Sequence, residues 1–154
     1  MKKYKKVFLS IKNVSKEDLD KLVEQLTSLG CEVRISDLAD ELEILMELEQ
    51  DEQYISDEIE WCDLVFVVIG PSKEEDVCVN REIEEASNQD KTVVGIYAGG
   101  DEECVPSALE NVGDGLITND IEKIAAVIDG TPPIWEAPEG GARKKKNKID
   151  TGNC

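Results

Sequence analysis

Between Lys6 and Thr118 the chain sets short runs of β-branched and other apolar residues against stretches of helical periodicity. The runs are KVFLSI (6–11), CEVRIS (31–36), DLVFVVIG (63–70), KTVVGIY (91–97) and DGLIT (114–118). DLVFVVIG has almost no polar face, so a strand made from it must be covered on both sides, as strands inside a parallel sheet are. Strand and helix alternating in this way predict a single doubly wound α/β domain with a five-stranded parallel sheet, in the order 2-1-3-4-5.

The intervening stretches supply the helices. SKEDLDKLVEQLTSLG opens on Ser15, with Asp18 three residues on as a capping-box variant. Leu19, Leu22, Val23, Leu26 and Leu29 follow at helical spacing, and Gly30 stops the helix. Residues 37–62 contain neither Gly nor Pro. Ile55, Ile59 and Cys62 make the second half of that stretch helical and leave its first half open. AGGDEECVPSALENVG (98–113) reads as a loop with one helical turn, and TNDIEKIAAVIDG (118–130) as a last helix capped by Thr118 or Asn119. The domain therefore spans 1–130. Residues 131–154, with three prolines, paired glycines and the basic run Arg143 to Lys146, form a tail that only Ile134 and Trp135 are suited to anchor.

Charge and composition narrow the chemistry. With 35 acids against 17 bases the net charge is −18, which repels a phosphate backbone and argues against nucleic-acid binding. The 5 cysteines are scattered with no CxxC pair, so neither a zinc site nor a disulfide framework is indicated and a reducing cytoplasm is the expected compartment. The basic start MKKYKK precedes too short an apolar run for a signal peptide, and no run reaches the roughly 20 residues of a membrane helix, so no membrane partner is expected. Histidine is absent, which removes Ser-His and Cys-His nucleophilic schemes and the common zinc hydrolase sites. Cys62 and Cys78 read as small buried fillers, and Trp61 as packing.

One stretch, DVCVNREIEEASNQDKTVVGIY (76–97), places several glutamates on a short helix running into a strand. At about 100° per residue Val79, Ile83 and Ala86 form the inward stripe, Glu82 lies only about 60° from its centre, and Glu84 and Glu85 point to solvent. Glu82 thus sits beside the core, near a helix start and at the carboxyl end of a parallel strand, where open α/β sheets build their ligand crevice. The ordinary reading of that spacing is a boundary glutamate whose stem packs while its head reaches water.

The order VFLS, an acid-bearing helix, LGCEVRISD, ISDEIEWCDLVFVVIGPS, CVNREIEEA and KTVVGIY resembles the bacterial TIR-like (Toll/interleukin-1 receptor) domains over about residues 5 to 130. Its most specific element is Cys78, Val79, Asn80, Arg81, Glu82, Ile83, which matches the family's helix signature around a catalytic glutamate. The chain departs from the pattern at Cys78, where an aromatic is usual, and in having no glycine between Gly30 and Gly70. The resemblance implies a flavodoxin-like fold, Glu82 as catalytic carboxylate, and contacts to the dinucleotide from Ser10, Lys12 and Asn13. It implies cleavage of the nicotinamide–ribose bond of NAD, bound as substrate with no cofactor or metal, to give ADP-ribose or a cyclic or conjugated ADP-ribose signal. By analogy with stand-alone Thoeris-type proteins of antiphage defence, it further implies self-assembly and a separate effector reached through that nucleotide signal.

The chemistry is compatible with these residues. Loss of nicotinamide leaves an oxocarbenium-like ribosyl cation, which a fixed carboxylate about 3 Å away stabilises or traps. Nicotinamide leaves as a neutral base, so no general acid is needed. Lys12 and the N–H groups opening the first helix are the candidate donors to the pyrophosphate. Two other readings stay open. One is a non-catalytic TIR-like adaptor. The other is a nucleoside 2-deoxyribosyltransferase-like enzyme, although the Gly-Thr run expected before its glutamate is missing.

Overall fold

The structure, a computed structural model, describes residues 4–36 and 48–141. Its strands are β1 (Lys6–Lys12), β2 (Glu32–Ile35), β3 (Leu64–Ile69), β4 (Thr92–Tyr97) and β5 (Gly115–Ile117). They form one sheet in the order β2-β1-β3-β4-β5, and every adjacent pair is parallel. This is the expected fold and strand order. The helices described are α1 (Lys16–Ser28), α2 (Leu48–Trp61), α3 (Val77–Asn88), α4 (Ser107–Val112) and α5 (Ile121–Ile128), with a 3₁₀ turn at Glu102–Cys104 before α4. Most of the stretch whose conformation the sequence leaves open, residues 37–47, lies outside the described residues.

β3 explains the two-layer arrangement. All six of its residues are buried, and they alternate between two cores as strand geometry requires. Leu64, Phe66 and Val68 face Leu22 and Leu26 of α1 and Ile124 and Val127 of α5. Val65, Val67 and Ile69 face Ile55 and Ile59 of α2, Val79 and Ile83 of α3 and Leu109 of α4. At roughly 1.5 to 3 kcal/mol for each fully buried aliphatic side chain, this strand and its cover dominate the folding free energy.

Local signals act as their chemistry dictates. The Ser15 hydroxyl accepts the Asp18 N–H at 3.1 Å and starts α1, and Gly30, at φ 91°, provides the left-handed turn that ends it. The last helix departs from expectation. Its cap is Asp120, whose carboxylate accepts the Glu122 N–H at 2.9 Å, because the chain leaves β5 through Thr118 and bends at Asn119, the Asp120 N–H bonding back to the Thr118 carbonyl at 2.9 Å, before the helix can start. The segment expected as a tail also starts late. Leu116 donates to the Ile134 carbonyl at 2.8 Å and Glu136 donates to the Leu116 carbonyl at 2.7 Å, so Trp135 bridges β5 in parallel and covers the sheet edge. Gly115 permits that approach, since a Cβ there would stand 2.6 Å from the Pro133 side chain. The buried Glu136 carboxylate is held by Lys123 at 2.8 Å and by the Thr118 N–H at 3.0 Å.

Cys62 is a filler at the end of α2, its thiol donating to the Ile59 carbonyl at 3.2 Å. Burial pushes the thiol up to about 11, so the reactive thiolate is scarce at neutral pH. Native protein treated with iodoacetamide at pH 8 is expected to carry no Cys62 adduct by peptide mass spectrometry, whereas unfolded protein labels readily. Prompt labelling of the native chain would contradict this packing.

Candidate active site

Three carboxyl-terminal strand ends and the first turns of α3 meet at one edge of the sheet. Ser10 and Lys12 are two residues apart in β1, so both side chains stand on the α3 face. Ser36 follows β2 directly, its N–H bonded to the Leu9 carbonyl at 2.9 Å, which carries its side chain to the same place. α3 begins at Asp76, whose carboxylate accepts the Val79 N–H at 3.1 Å.

Glu82 is 1% exposed. The Ser10 hydroxyl donates to Oε1 in a short hydrogen bond, and the Ser36 hydroxyl donates to Oε2 at 2.5 Å. Both oxygens are therefore fixed in direction. Its neighbours on the helix differ. Glu84 is exposed, and Glu85, half-buried rather than fully solvated, accepts from Gln89 at 2.7 Å.

Lys12 is as deeply placed, at 2% exposure. Its Nζ donates to the Ser72 carbonyl at 2.9 Å and to the Cys104 carbonyl at 2.6 Å. The ammonium thus ties the loop after β3 to the loop after β4. Gly70, between them, touches the end of β1 so closely that a Cβ would stand 1.8 Å from the Asn13 carbonyl oxygen. Asn13 takes a left-handed conformation, φ 54°, and its amide donates to the Pro71 carbonyl at 3.1 Å. Lys12, Asn13, Ser72, Glu74, Glu75 and Asp76 line a cavity of about 360 Å³.

Glu75 secures the far wall of that cavity. It accepts from Asn80 at 2.8 Å and from the Ser107 hydroxyl at 3.1 Å, while Asn80 in turn accepts the Ala108 N–H at 3.1 Å. Partial burial alone would raise the Glu75 carboxyl, but the hydrogen bonds from Asn80 and Ser107 outweigh it and hold the group below its usual range. Glu75 is thus ionised at neutral pH.

The sequence-predicted residues therefore divide. Ser10 is brought onto Glu82, whereas Lys12 and Asn13 are brought onto backbone carbonyls of the neighbouring loops. Ser36 is the partner the sequence reading missed. Its one signal is position, a hydroxyl residue at the carboxyl end of the strand beside Ser10. Among the described residues no group of three or more His, Cys, Asp or Glu is arranged to hold a metal, and no described helix is long and apolar enough to cross a membrane.

No protein-family model matches the chain, and no curated protein matches it by sequence. Solved structures do share its fold. A CMP N-glycosidase from Clostridium botulinum superposes with a TM-score of 0.51 at 20% identity, covering 81% of this chain and 98% of that one. A 3-dehydroquinate dehydratase-like protein from Bifidobacterium longum superposes with a TM-score of 0.52 at 16% identity, covering 83% and 95%.

Replacing Lys12 by Met keeps the length of the stem but leaves the Ser72 and Cys104 carbonyls without their donor. The expected loss is about 2 kcal/mol or more in urea unfolding. A change below about 0.5 kcal/mol would show that the ammonium does not hold the two loops.

Proposed function

We propose that this chain cleaves the N-glycosidic bond between ribose and a nitrogenous base, with Glu82 as the carboxylate that faces the ribosyl cation. The observation that carries the reading is the deep burial of Glu82 at the carboxyl edge of β1 together with its fixation by two hydroxyls, Ser10 and Ser36. A charged group removed from water and oriented before substrate arrives stabilises developing positive charge without reorganising, the usual origin of a large electrostatic contribution to rate. As the base leaves, the ribosyl carbon gains positive charge about 3 Å from the carboxylate, which stabilises it or bonds to it until water completes the hydrolysis. The likeness in fold to a protein described as a CMP N-glycosidase supports the same reaction type.

The narrower form of this reading is a TIR-like enzyme acting on NAD, releasing nicotinamide and producing ADP-ribose or a cyclic or conjugated ADP-ribose signal for a separate effector. It rests on the helix signature from Cys78 to Ile83. The rival reading is an adaptor in which Glu82 is a structural carboxylate, and the hydrogen bond that a serine hydroxyl makes to each of its oxygens favours it.

Glu82→Gln separates the two. It keeps shape and removes the charge, so release of free base is expected to fall about a hundredfold or more while the protein stays folded. Glu84→Gln, an exposed change that moves stability by less than about 0.5 kcal/mol, and Glu85→Gln, at a half-buried residue that accepts from Gln89, should retain most activity. Equal activity in all three folded variants would remove Glu82 from the chemistry.

A further inference from the structure

Glu82 is 1% exposed, yet a carboxylate that stabilises a ribosyl cation has to touch the sugar. A substrate therefore reaches it only by displacing part of what covers it. We infer that Ser36 is the part that moves. Its hydroxyl holds Oε2 before substrate arrives, gives way to a hydroxyl of the sugar, and leaves the Oε2 side of the carboxylate facing the reacting carbon. This role for Ser36 rests on the Glu82 reading and makes Ser36 a positioning residue for the same reaction.

The two serines hold the carboxylate from different sides. Ser10 lies inside the sheet, fully buried, and its register partner on β3 is the equally buried Val67. Beyond Val67 on that face lie Val79, Ile83 and the rest of the apolar core. Ser36 lies at the margin. β2 is the outermost strand, its Glu32, Arg34 and Ile35 are exposed, and Ser36, the next residue, is half-buried. Accordingly the hydrogen bond from Ser10 to Glu82 is buried, whereas that from Ser36 is only partly so. Moving Ser10 would open the core, while moving Ser36 opens the edge of the sheet.

The chemistry of the exchange selects the sugar. Taking a hydrogen bond from a buried carboxylate without replacing it is costly. A ribose carries a hydroxyl on the carbon next to the one that bears the base, and that hydroxyl takes over the donation that Ser36 gives up. A 2-deoxyribose lacks it and leaves Oε2 short of a donor, so the site favours ribosides over 2-deoxyribosides. Ser10 stays bonded throughout and keeps the carboxylate aimed.

Three measurements test this. Carbodiimide coupling of glycine ethyl ester to Glu82 in the folded protein, read by peptide mass spectrometry, reports access without relying on turnover. Ser36→Ala is expected to label at least about threefold faster than wild type and faster than Ser10→Ala. A Ser36→Ala rate no faster than wild type, or no faster than that of Ser10→Ala, overturns the inference. With NAD or CMP, whichever releases base, Ser36→Ala is expected to lower KM by about threefold or more, because substrate no longer breaks a bond to enter, while Ser10→Ala lowers kcat without lowering KM. A Ser36→Ala KM at or above that of wild type overturns the exchange and leaves the Glu82 reading standing. Finally, wild-type protein is compared on CMP against dCMP and on nicotinamide riboside against its 2-deoxy counterpart. In the pair that reacts, the riboside is expected to show a kcat/KM at least about tenfold higher, and equal values overturn the sugar hydroxyl's part in the exchange. Release of base from none of these compounds by the wild-type protein rejects the Glu82 reading and the sugar exchange with it, and the labelling rates then decide by themselves whether Ser36 covers the way to Glu82.

Discussion

The burial of β3 on both faces is the constraint from which the remaining architecture follows. A strand with no solvent side cannot lie at an edge and cannot be left with one layer of helices. Its two sets of side chains therefore recruit α1 and α5 on one face and α2, α3 and α4 on the other. Because every strand pair is parallel, each connection returns across the sheet, and the loops leaving all five strands gather at one edge. The crevice of an open parallel sheet is a consequence of this connectivity.

At that edge the interior changes character. Two residues before the end of β1, the apolar alternation gives way to Ser10 and then, at the end itself, to Lys12 on the same face, each almost wholly buried. Removing an ammonium from water is expensive unless hydrogen bonds replace its hydration. Two loop carbonyls do so here, and the surplus of negative charge across the protein adds to their effect. The same logic governs Glu82, whose lost hydration is replaced by two hydroxyl donors. The edge is thus held by polar contacts that require one another: Gly70 lets the end of β1 approach, Lys12 fixes the loops on either side, and the Glu75–Asn80–Ser107 cluster fixes α3 to α4.

Sequence alone determined the strand–helix order, the parallel sheet, the cap at Ser15 and the position of Glu82 beside the core, all of which depend on periodicity and on neighbours within a few residues; the head expected to reach water is instead buried, because Ser10 and Ser36 replace its hydration. These signals are local, and burial of an apolar stripe enforces them wherever the stripe falls. Only the tertiary structure decided what Glu82 and Lys12 touch. Ser10 reaches Glu82 across 72 positions, Ser36 across 46, and Lys12 reaches Cys104 across 92. Such contacts are set by the register of β1 against β2 and β3 and by where α3 lands on the sheet. A shift of one residue would turn Ser10 and Lys12 to the opposite face. The docking of Trp135 along β5 belongs to the same class, since it depends on Gly115 clearing a path that composition does not reveal. Periodicity places a side chain on a face, and the register of distant strands decides which other side chain it meets.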